Sequence, residues 1–509
     1  MVYKESEVNM KKAIYNIMLI TIIAKLFGFG REILLSYFFG AGGISDAYLT
    51  AQTIPGTIFQ FVGTGLATSF IPVYMKAKLQ ENNKTADQFT NRVLTAVLVF
   101  STVIIILVWQ FAEPLIKVFA SGFTGETLRQ AALFLRIGII SLYFSSFIYV
   151  YNSYLQANNI FTIVAFGAIP NSIMIMLAIV LGARLHILAL PIGSLAAVFI
   201  QMLILFPSMR KEGYRWKLDF KFKDPYVKEI IRLMLPVTIG VSVNQINVLI
   251  DRTMASQIAI GGISALLYAD SLMMFVQGIF SQSIATVYYP ALTEYAEKKQ
   301  ITELKKLLNE ALESIVFMLA PIMMGCIILG KGIVEVLYGR GAFDATAVTL
   351  TGTALSFYGI GILAYGIREI LSRLFYAQHD TKTPMINSMI GMILNIAMNL
   401  TFSRMLGIGG LALATSASCI LTAVLLYIYS RKRMGVIVDR EAKTEYKKIF
   451  LATGLMAMIV WGIYKFLNGI SGVIISVLVG VLVYAILSVI LKIEVFQKLK
   501  GMLIRKSKG

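Results

Sequence analysis

Apolar stretches long enough to cross a bilayer recur from one end of this chain to the other, and no other feature constrains its fold as tightly. "VLTAVLVFSTVIIILVW" (93–109) and "GVIISVLVGVLVYAILSVIL" (472–491) are two of them. Each can span a ~30 Å hydrocarbon core as one helix. In lipid the backbone must satisfy its own hydrogen bonds, so repeated spans of this kind mean helices. The composition agrees: 57% of the 509 residues are hydrophobic and 14% charged, against roughly 25% charged in globular domains. Mean hydropathy is +0.76. The chain reads as an all-α polytopic membrane protein with fourteen transmembrane helices between residues 13 and 491. The first apolar run, "AIYNIMLITIIAKLF", is followed by charges and by no small-residue cleavage site, so it reads as a span and not as a cleaved signal.

A net charge of +19 raises nucleic acid as a partner, but the distribution of charge argues for topology instead. With the N-terminus inside, the loop between spans 6 and 7 holds Arg210, Lys211, Arg215, Lys217, Lys221, Lys223 and Lys228. The loop between spans 12 and 13 holds Arg431, Lys432, Arg433, Arg440, Lys443, Lys447 and Lys448. The tail adds Lys498, Lys500, Arg505, Lys506 and Lys508. The opposite loops carry only Lys117, Arg129, Arg184, Lys331, Arg340 and Arg404. This is the positive-inside asymmetry, and it places both termini in the cytoplasm, with the basic segments against anionic lipid. Cys326 and Cys419 lie in apolar spans, where they read as small packing residues.

The spans form an internal repeat. "GGIS" occurs at Gly42 and again at Gly261, and a proline follows each at nearly the same distance, Pro72 in "LATSFIPVYMK" and Pro290 in "IATVYYPALTEY". "SYLQANNIFTIV" (153–164) and "RLFYAQHDTKTP" (373–384) occupy matching short loops. Turn chemistry alone favours Gly and Pro at loop ends, but the joint spacing favours duplication. Six spans per copy keep both copies in one orientation, giving a parallel repeat. The division is 1–220 for spans 1–6, 221–435 for spans 7–12, and 436–509 for two appended spans with a basic tail. Two six-helix lobes with a site between them describe a transporter that alternates access; no filter loop suggests a channel.

Ionisable groups inside spans are costly and therefore mark function. Span 1 carries Lys25, Arg31 and Glu32 in "AKLFGFGREILL". Lys25 and Arg31 lie about 120° apart on the helix, so both can edge one wide cavity; alternatively Arg31 pairs with Glu32 or snorkels. Asp46 follows "GGIS", where capping of span 2 is the simplest role. Arg136 in span 4 either matters or snorkels. Span 7 holds Asn244, Gln245, Asn247, Asp251 and Arg252 in "NQINVLIDR", Asp270 opens span 8, and span 10 holds Arg368, Glu369 and Arg373, where a 368–369 pair neutralises itself. A surplus of cations suits an anion, and guanidinium grips phosphate or pyrophosphate bidentately. Asn395 and Asn399 share one helical face in span 11, with Thr415 in span 12. With Asp251 these offer hard oxygens for a small cation such as Na⁺, or they act as interhelical hydrogen-bonded glue.

Other motifs are weak. "GCIILGKG" (325–332) lacks the Ser/Thr of a phosphate-binding loop and has no strand before it, and "GIGILA" and "GIGGLA" sit in or beside spans. His186 and His379, the only histidines, are far apart and in loops. Nothing supports an enzyme, an ATP-driven pump or an intramembrane metalloprotease.

"KLFGFGREILLSYFFGAGGISDAYLTAQTIP", "LATSFIPVY", "LLYADSLMMFVQGIFSQSIATVYYPAL" and "REILSRLFYAQHDTKTP" together resemble the MurJ (MviN) family of lipid II flippases. That family lies within the multidrug/oligosaccharidyl-lipid/polysaccharide exporter superfamily. The resemblance covers nearly the whole chain. It implies fourteen helices in the bacterial cytoplasmic membrane, no covalent chemistry, and transfer of undecaprenyl-pyrophosphate-linked disaccharide-pentapeptide from the inner to the outer leaflet by alternating access in a monomer. By position, Lys25 stands where the family often has arginine, Arg31 matches its "GFxRD" arginine, Asp46 the acidic residue opening span 2, and Arg373 the arginine before "FYA". With Arg252, Asp270 and Arg368 these form the implied substrate-binding set. The family's Na⁺ site falls on Asp251, Asn395, Asn399, the Leu411 carbonyl and Thr415, with Asn399 replacing a carboxylate of some members. Ion binding or the membrane potential would supply the driving force. Phe59 and Ser271 stand where some members carry arginine, which thins the cationic cavity. The lipid tail is expected along spans 13 and 14. Alternatives are a flippase for another polyprenyl-pyrophosphate glycan, a cation-coupled drug antiporter of the same superfamily, and a scaffold that binds lipid-linked precursors.

Overall fold

A computed structural model describes residues 2–467, 469–498 and 501; the side chains of residues 1–17 and 239–244 lie outside the described set, and with them Asn244 and the tail cations Lys500, Arg505, Lys506 and Lys508. The described chain is helical, with no strand. Its helices are α1 (Val2–Phe39), α2 (Gly43–Gln80), α3 (Asn83–Gln110), α4 (Ala112–Phe119), α5 (Gly125–Gly138), α6 (Ser141–Ala157), α7 (Thr162–Phe166), α8 (Ala168–Arg184), α9 (Ala189–Lys211) and α10 (Pro225–Ile258). There follow α11 (Gly262–Ile279), α12 (Ser281–Glu297), α13 (Ile301–Tyr338), α14 (Ala345–Ala377), α15 (Lys382–Leu406), α16 (Ile408–Met434), α17 (Arg440–Phe466) and α18 (Gly469–Ile490). Among the described residues eleven helical stretches are long and apolar enough to cross a membrane, and α5 with α6, bent by 46° at their junction, make a twelfth. The sequence reading expects fourteen; the other two expected spans, 13–38 and 229–256, fall on α1 and α10, which contain undescribed side chains and are not among these twelve. Ile106, Trp109, Leu478 and Val481 expose more than half of their surface, as side chains facing lipid do.

The chain forms two compact units. The first comprises 1–264 and 341–343, the second 265–340 and 344–509. The first unit thus reaches past residue 220 and takes in all of α10. The reason is polar: Gln245 donates from Nε2 to Gln60 Oε1 at 2.7 Å, Thr238 Oγ1 donates to the Phe61 carbonyl at 3.1 Å, Lys76 pairs with Glu229 at 2.8 Å, and Arg252 bonds Thr53. Amides and hydroxyls on two apolar helices find each other in a medium that offers no water.

Buried Tyr48, Ile54, Leu66, Phe70 and Tyr74 on α2 form the middle of the first unit, with Phe89 of α3 and Phe134 of α5. The segment between α9 and α10 is strapped onto α3. Arg92, 9% exposed, donates from Nε to Asp219 at 2.9 Å and also pairs with Asp224. Asn91 Oδ1 accepts from Tyr214 Oη at 2.8 Å and from the Lys217 amide at 3.0 Å. Asp224 in turn caps α10 through the amides of Tyr226 and Val227. In the second unit, Leu304, Leu308, Ile315 and Leu319 of α13 pack with Ile370, Leu371 and Leu374 of α14, and a further face of α13 packs on Ile449, Ala452 and Met456 of α17.

The repeat is visible in local geometry. α6 and α14 end alike: Asn159 and His379 take the left-handed conformation, at φ 63° and 58°. The amide two residues past each C-cap reaches back, Ile160 to the Leu155 carbonyl at 2.8 Å and Asp380 to Phe375 at 2.9 Å. This is the geometry of a helix stop in which the residue beyond the cap turns left-handed and orphan carbonyls are satisfied. Asn tolerates that conformation better than most residues, and His shares the tolerance.

Candidate functional site

The two GGIS segments meet. Gly42 begins α2, and Ser45 Oγ accepts from the Gly42 amide at 2.9 Å, so α2 is capped by its own serine. Asp46 therefore does not cap the helix it sits on. Its carboxylate turns to the second copy, accepting from the Gly261 amide at 2.8 Å, the Ser264 amide at 2.7 Å and Ser264 Oγ at 2.6 Å. A carboxylate at a helix start satisfies orphan N–H groups and faces the positive end of the helix dipole. Gly261 sits at φ +82°, and a Cβ there would lie 2.1 Å from the Ala41 carbonyl, so no other residue fits this approach. Nearby, the Ala342 amide donates to the Tyr37 carbonyl at 2.8 Å, and a Cβ on Gly40 would strike the Ala342 carbonyl. Asp46 is 1% exposed. Expected among the substrate-binding residues, it is instead withdrawn into a junction that holds the starts of α2 and α11 together.

The remaining predicted cations divide between the units. Lys25 is exposed and Arg31 half-buried on α1, and neither makes an ion pair among the described residues; a pairing of Arg31 with the adjacent Glu32 is not what forms. Arg252 and Asp251 belong to the first unit. Arg136 is an end-cap: its Nε donates to the Trp109 carbonyl in the last turn of α3 at 3.3 Å. In the second unit Glu369 pairs with Arg373, at 3.0 Å, and not with Arg368. Neighbouring residues point about 100° apart on a helix, whereas residues four apart share a face. Arg373 also lies 5.4 Å from the Tyr289 ring centroid and Arg368 4.7 Å from that of Tyr365. Asp270 stands two turns inside α11 and does not open it.

The proposed cation ligands on α15 and α16 do come together. Asn399 Nδ2 donates to Asn395 Oδ1 at 2.9 Å, Asn395 Nδ2 to Thr415 Oγ1 at 3.1 Å, and Thr415 Oγ1 to the Leu411 carbonyl at 3.2 Å. Asn395 and Asn399 are buried. The oxygens are of the type Na⁺ takes, but this cluster is neutral and its links already pair with each other, which is the pattern of interhelical glue. The carboxylate of the expected set, Asp251, is in the other unit. No group of three or more His, Cys, Asp or Glu side chains among the described residues is arranged to hold a metal.

The second unit also contains an apolar cavity of ≈ 1100 Å³. α17 and α18 form one wall with Met456, Val460, Val477 and Gly480, and α11 and α13 close the other with Leu272, Phe317 and Gly325. Its one strong polar tie is structural: Tyr484 Oη donates to the Phe317 carbonyl at 2.8 Å. The first unit holds a smaller cavity at the bend between α5 and α6, which the sequence reading does not single out. Its signal was a run of hydroxyls after a glycine inside an apolar span, "GIISLYFSS". Phe59 lies here, stacked on Tyr149 at 5.4 Å, and Ser271 is half-buried on α11.

Comparison with known proteins follows the same lines. The family model described as lipid II flippase MurJ matches residues 35–482. The probable lipid II flippase MurJ of Rickettsia prowazekii is 30% identical over 446 residues, 87% of this chain and 88% of that protein. That of Vibrio cholerae is 30% identical over 421 residues, 80% of each. Among solved structures, a lipid II flippase MurJ in an inward closed conformation superposes with a TM-score of 0.81 at 26% identity, covering 93% of this chain and 98% of that one. An inward-facing multidrug resistance transporter of the MATE family shares the fold, with a TM-score of 0.68 at 14% identity.

Proposed function

The chain belongs to the lipid II flippase MurJ family, and from that premise we propose that it carries lipid II from the inner to the outer leaflet of the bacterial cytoplasmic membrane. The observation that carries this reading is family membership over residues 35–482 together with a half-buried guanidinium on α1, Arg31, that makes no ion pair among the described residues. A flippase makes and breaks no covalent bond; it needs a grip on the charged headgroup, a path for the tail, and two states. On the first unit, Lys25, Arg31 and Arg252 grip the pyrophosphate, because guanidinium binds it bidentately and is weakly hydrated enough to sit within a span. On the second unit Arg368 and Arg373 act later in the cycle, once Arg373 exchanges Glu369 for phosphate. The polyprenyl tail exchanges lipid for protein contacts at little cost, since both are apolar, and the apolar cavity against α17 and α18 gives part of the tail a wall to follow.

Parting of the Asp46 junction is the natural switch between states. A cation on the second unit at Asn395, Asn399, the Leu411 carbonyl and Thr415, or the membrane potential at ~2.3 kcal/mol per charge per 100 mV, resets the carrier. Both termini are cytoplasmic in this reading, and one chain is the working unit. The test is replacement of the native flippase in a bacterial host by this chain. Lipid II exposed on the outer leaflet is then measured for the parent and for Arg31→Ala at matched membrane levels. Restoration by the parent and loss in the variant are expected; a well-expressed parent that exposes nothing refutes the substrate assignment.

A further inference from the structure

The smaller cavity of the first unit, lined by apolar residues with seven hydroxyl- or amide-bearing side chains among them, has features that packing does not explain. It measures ≈ 230 Å³, room for about seven waters at ~30 Å³ each, and it lies where the span formed by α5 and α6 breaks at Gly138–Ser141. Broken backbone at membrane depth is tolerated where it lines a polar cavity, and discontinuous helices mark binding sites in transporters. One wall is a finished network: Gln52 Nε2 donates to Tyr48 Oη at 2.6 Å and to Ser194 Oγ at 2.7 Å, and Tyr48 Oη and Ser194 Oγ lie 2.6 Å apart. The opposite wall is unfinished. The hydroxyls of Ser141, Ser145 and Tyr149 and the amide of Asn171 line the cavity, and among the described residues they make no side-chain hydrogen bond with the protein. A half-buried polar group in a membrane domain that lacks a protein partner is satisfied by water or ligand.

The chemistry of the lining narrows the ligand. Among the described residues no Asp, Glu, Lys, Arg or His borders the cavity, so none of them neutralises a charge there. Hydroxyls and amides set beside the stacked Phe59–Tyr149 pair match a group that is itself both donor and acceptor around a ring with one apolar face. That describes a neutral sugar. Outside the cavity, α1 packs on α8, the helix of Asn171, with a Cβ on Gly30 3.6 Å from Met176 Cε, so Arg31, a cation suited to a diphosphate, is carried on a helix beside a pocket suited to a sugar.

We propose that this cavity, at the bend between α5 and α6, is the subsite for the neutral sugar joined directly to the diphosphate of the carried lipid, with Gln52, Asn171 and the Ser141 and Ser145 hydroxyls reading its hydroxyl and amide groups. The inference rests on the flippase reading and adds to it the residues that distinguish a glycosylated lipid from a bare one. In it the cations supply affinity for any polyprenyl diphosphate, and the cavity supplies the preference for sugar. A site built to hydrogen-bond a polar group discriminates strongly against the analogue that lacks it, since its own polar groups then go unpaired.

The test is binding of lipid II and of undecaprenyl pyrophosphate to the full chain in nanodiscs, by native mass spectrometry. A Cβ placed at Gly138 or at Gly56 meets nothing within 4 Å, so Gly138→Leu fills the cavity without striking backbone, and Gly56→Leu is a second filler from another helix. Gln52→Leu removes the donor network at nearly constant size. We expect the parent to prefer lipid II at least tenfold, and each variant that keeps the parent's melting temperature to bring that ratio near one while binding undecaprenyl pyrophosphate within twofold of parent. A preference that survives both a filler and Gln52→Leu overturns the inference. A parent that binds both lipids equally also overturns it, and leaves the flippase reading standing. A parent that binds neither overturns both.

Discussion

Removal of the Asp46 carboxylate is the perturbation whose size the structure defines best. It accepts three hydrogen bonds, from two amides and one hydroxyl at the start of α11, and is 1% exposed. In Asp46→Ala the Ser264 hydroxyl retains the Gly261 carbonyl at 3.1 Å, so one of the three donors finds a partner. The Gly261 and Ser264 amides do not. Each buried orphan donor costs ~1–3 kcal/mol, and the lost attraction between a carboxylate and a helix start adds ~1 kcal/mol. A total of at least ~3 kcal/mol follows, or two decades or more in the population of conformations in which this junction has parted, at ~1.4 kcal/mol per decade. Ile263 is 1% exposed in the junction, so Ile263→Cys reports its opening, in a background where Cys326 and Cys419 are replaced by alanine. When closing is faster than reaction, modification by a maleimide tracks the open population. Asp46→Ala is expected to raise the labelling rate on the order of a hundredfold or more, and Asp46→Asn, which keeps one acceptor, by less. A rate in Asp46→Ala within threefold of the parent refutes the reasoning, since the junction would then be held by something other than this carboxylate.

Three further outcomes follow from the same coordinates. Gly325 lines the apolar cavity of the second unit and a Cβ there meets nothing within 4 Å, so Gly325→Phe is expected to fold normally and to slow lipid II transfer in vesicles at least tenfold; unchanged transfer would remove the cavity from the tail's path. The Asn395–Asn399–Thr415 cluster is neutral, so Asn399→Asp is expected to create or strengthen Na⁺-dependent thermal stabilisation by several degrees relative to K⁺ buffer, and no difference between the two cations would count against a Na⁺ site there. Asp380, in the turn before α15, is bonded by the Thr383 amide at 2.9 Å, by Thr383 Oγ1 at 2.7 Å and by Arg433 at 2.6 Å. Burial pushes its pKa up, but the Thr383 bonds and the Arg433 charge outweigh that and hold it below the ordinary carboxylate range. A depressed folded pKa gives stability that is complete above the unfolded value of ~3.9 and fades as pH falls through the lower folded one. Asp380→Ala should therefore cost ~1 kcal/mol at pH 7, as loss of a cap does, and the difference from parent should vanish in strong acid.

What the sequence made legible was whatever depends on spacing along one helix or on hydropathy alone. The apolar runs announced an all-helical membrane protein, and Asn395 and Asn399, four apart, announced a shared face that the structure fills with hydrogen bonds. The matched loops at 153–164 and 373–384 announced a repeat whose two copies end their helices with a left-handed residue at the same place, Asn159 in one and His379 in the other. What spacing could not give was the partner across a gap. Asp46 reads as a cap for α2 because it lies one residue after Ser45, yet Ser45 already fills that role and the carboxylate is left to serve a helix more than two hundred residues away. The pairing of Glu369 with Arg373 instead of Arg368 was available from helical geometry alone. The attachment of α10 to the first unit was not, because it depends on which polar side chains of α2, Gln60 and Thr53, stand opposite Gln245 and Arg252. The cavity at the α5–α6 bend was half legible: "GIISLYFSS" supplies one wall, but Gln52, Asn171 and Ser194 lie on other helices and carry no motif until the fold brings them round one space.

The central claim is transfer of lipid II across a bilayer by this chain alone. The most direct measurement reconstitutes it in liposomes that hold fluorescent lipid II in both leaflets, with an impermeant quencher outside and a membrane potential imposed. With the chain present, the quenched fraction should rise from about half towards completion, and Arg31→Ala, inserted at equal density, should leave it near half. A parent chain that inserts at full density and leaves the quenched fraction at that of protein-free liposomes, with and without Na⁺ and potential, would contradict the account.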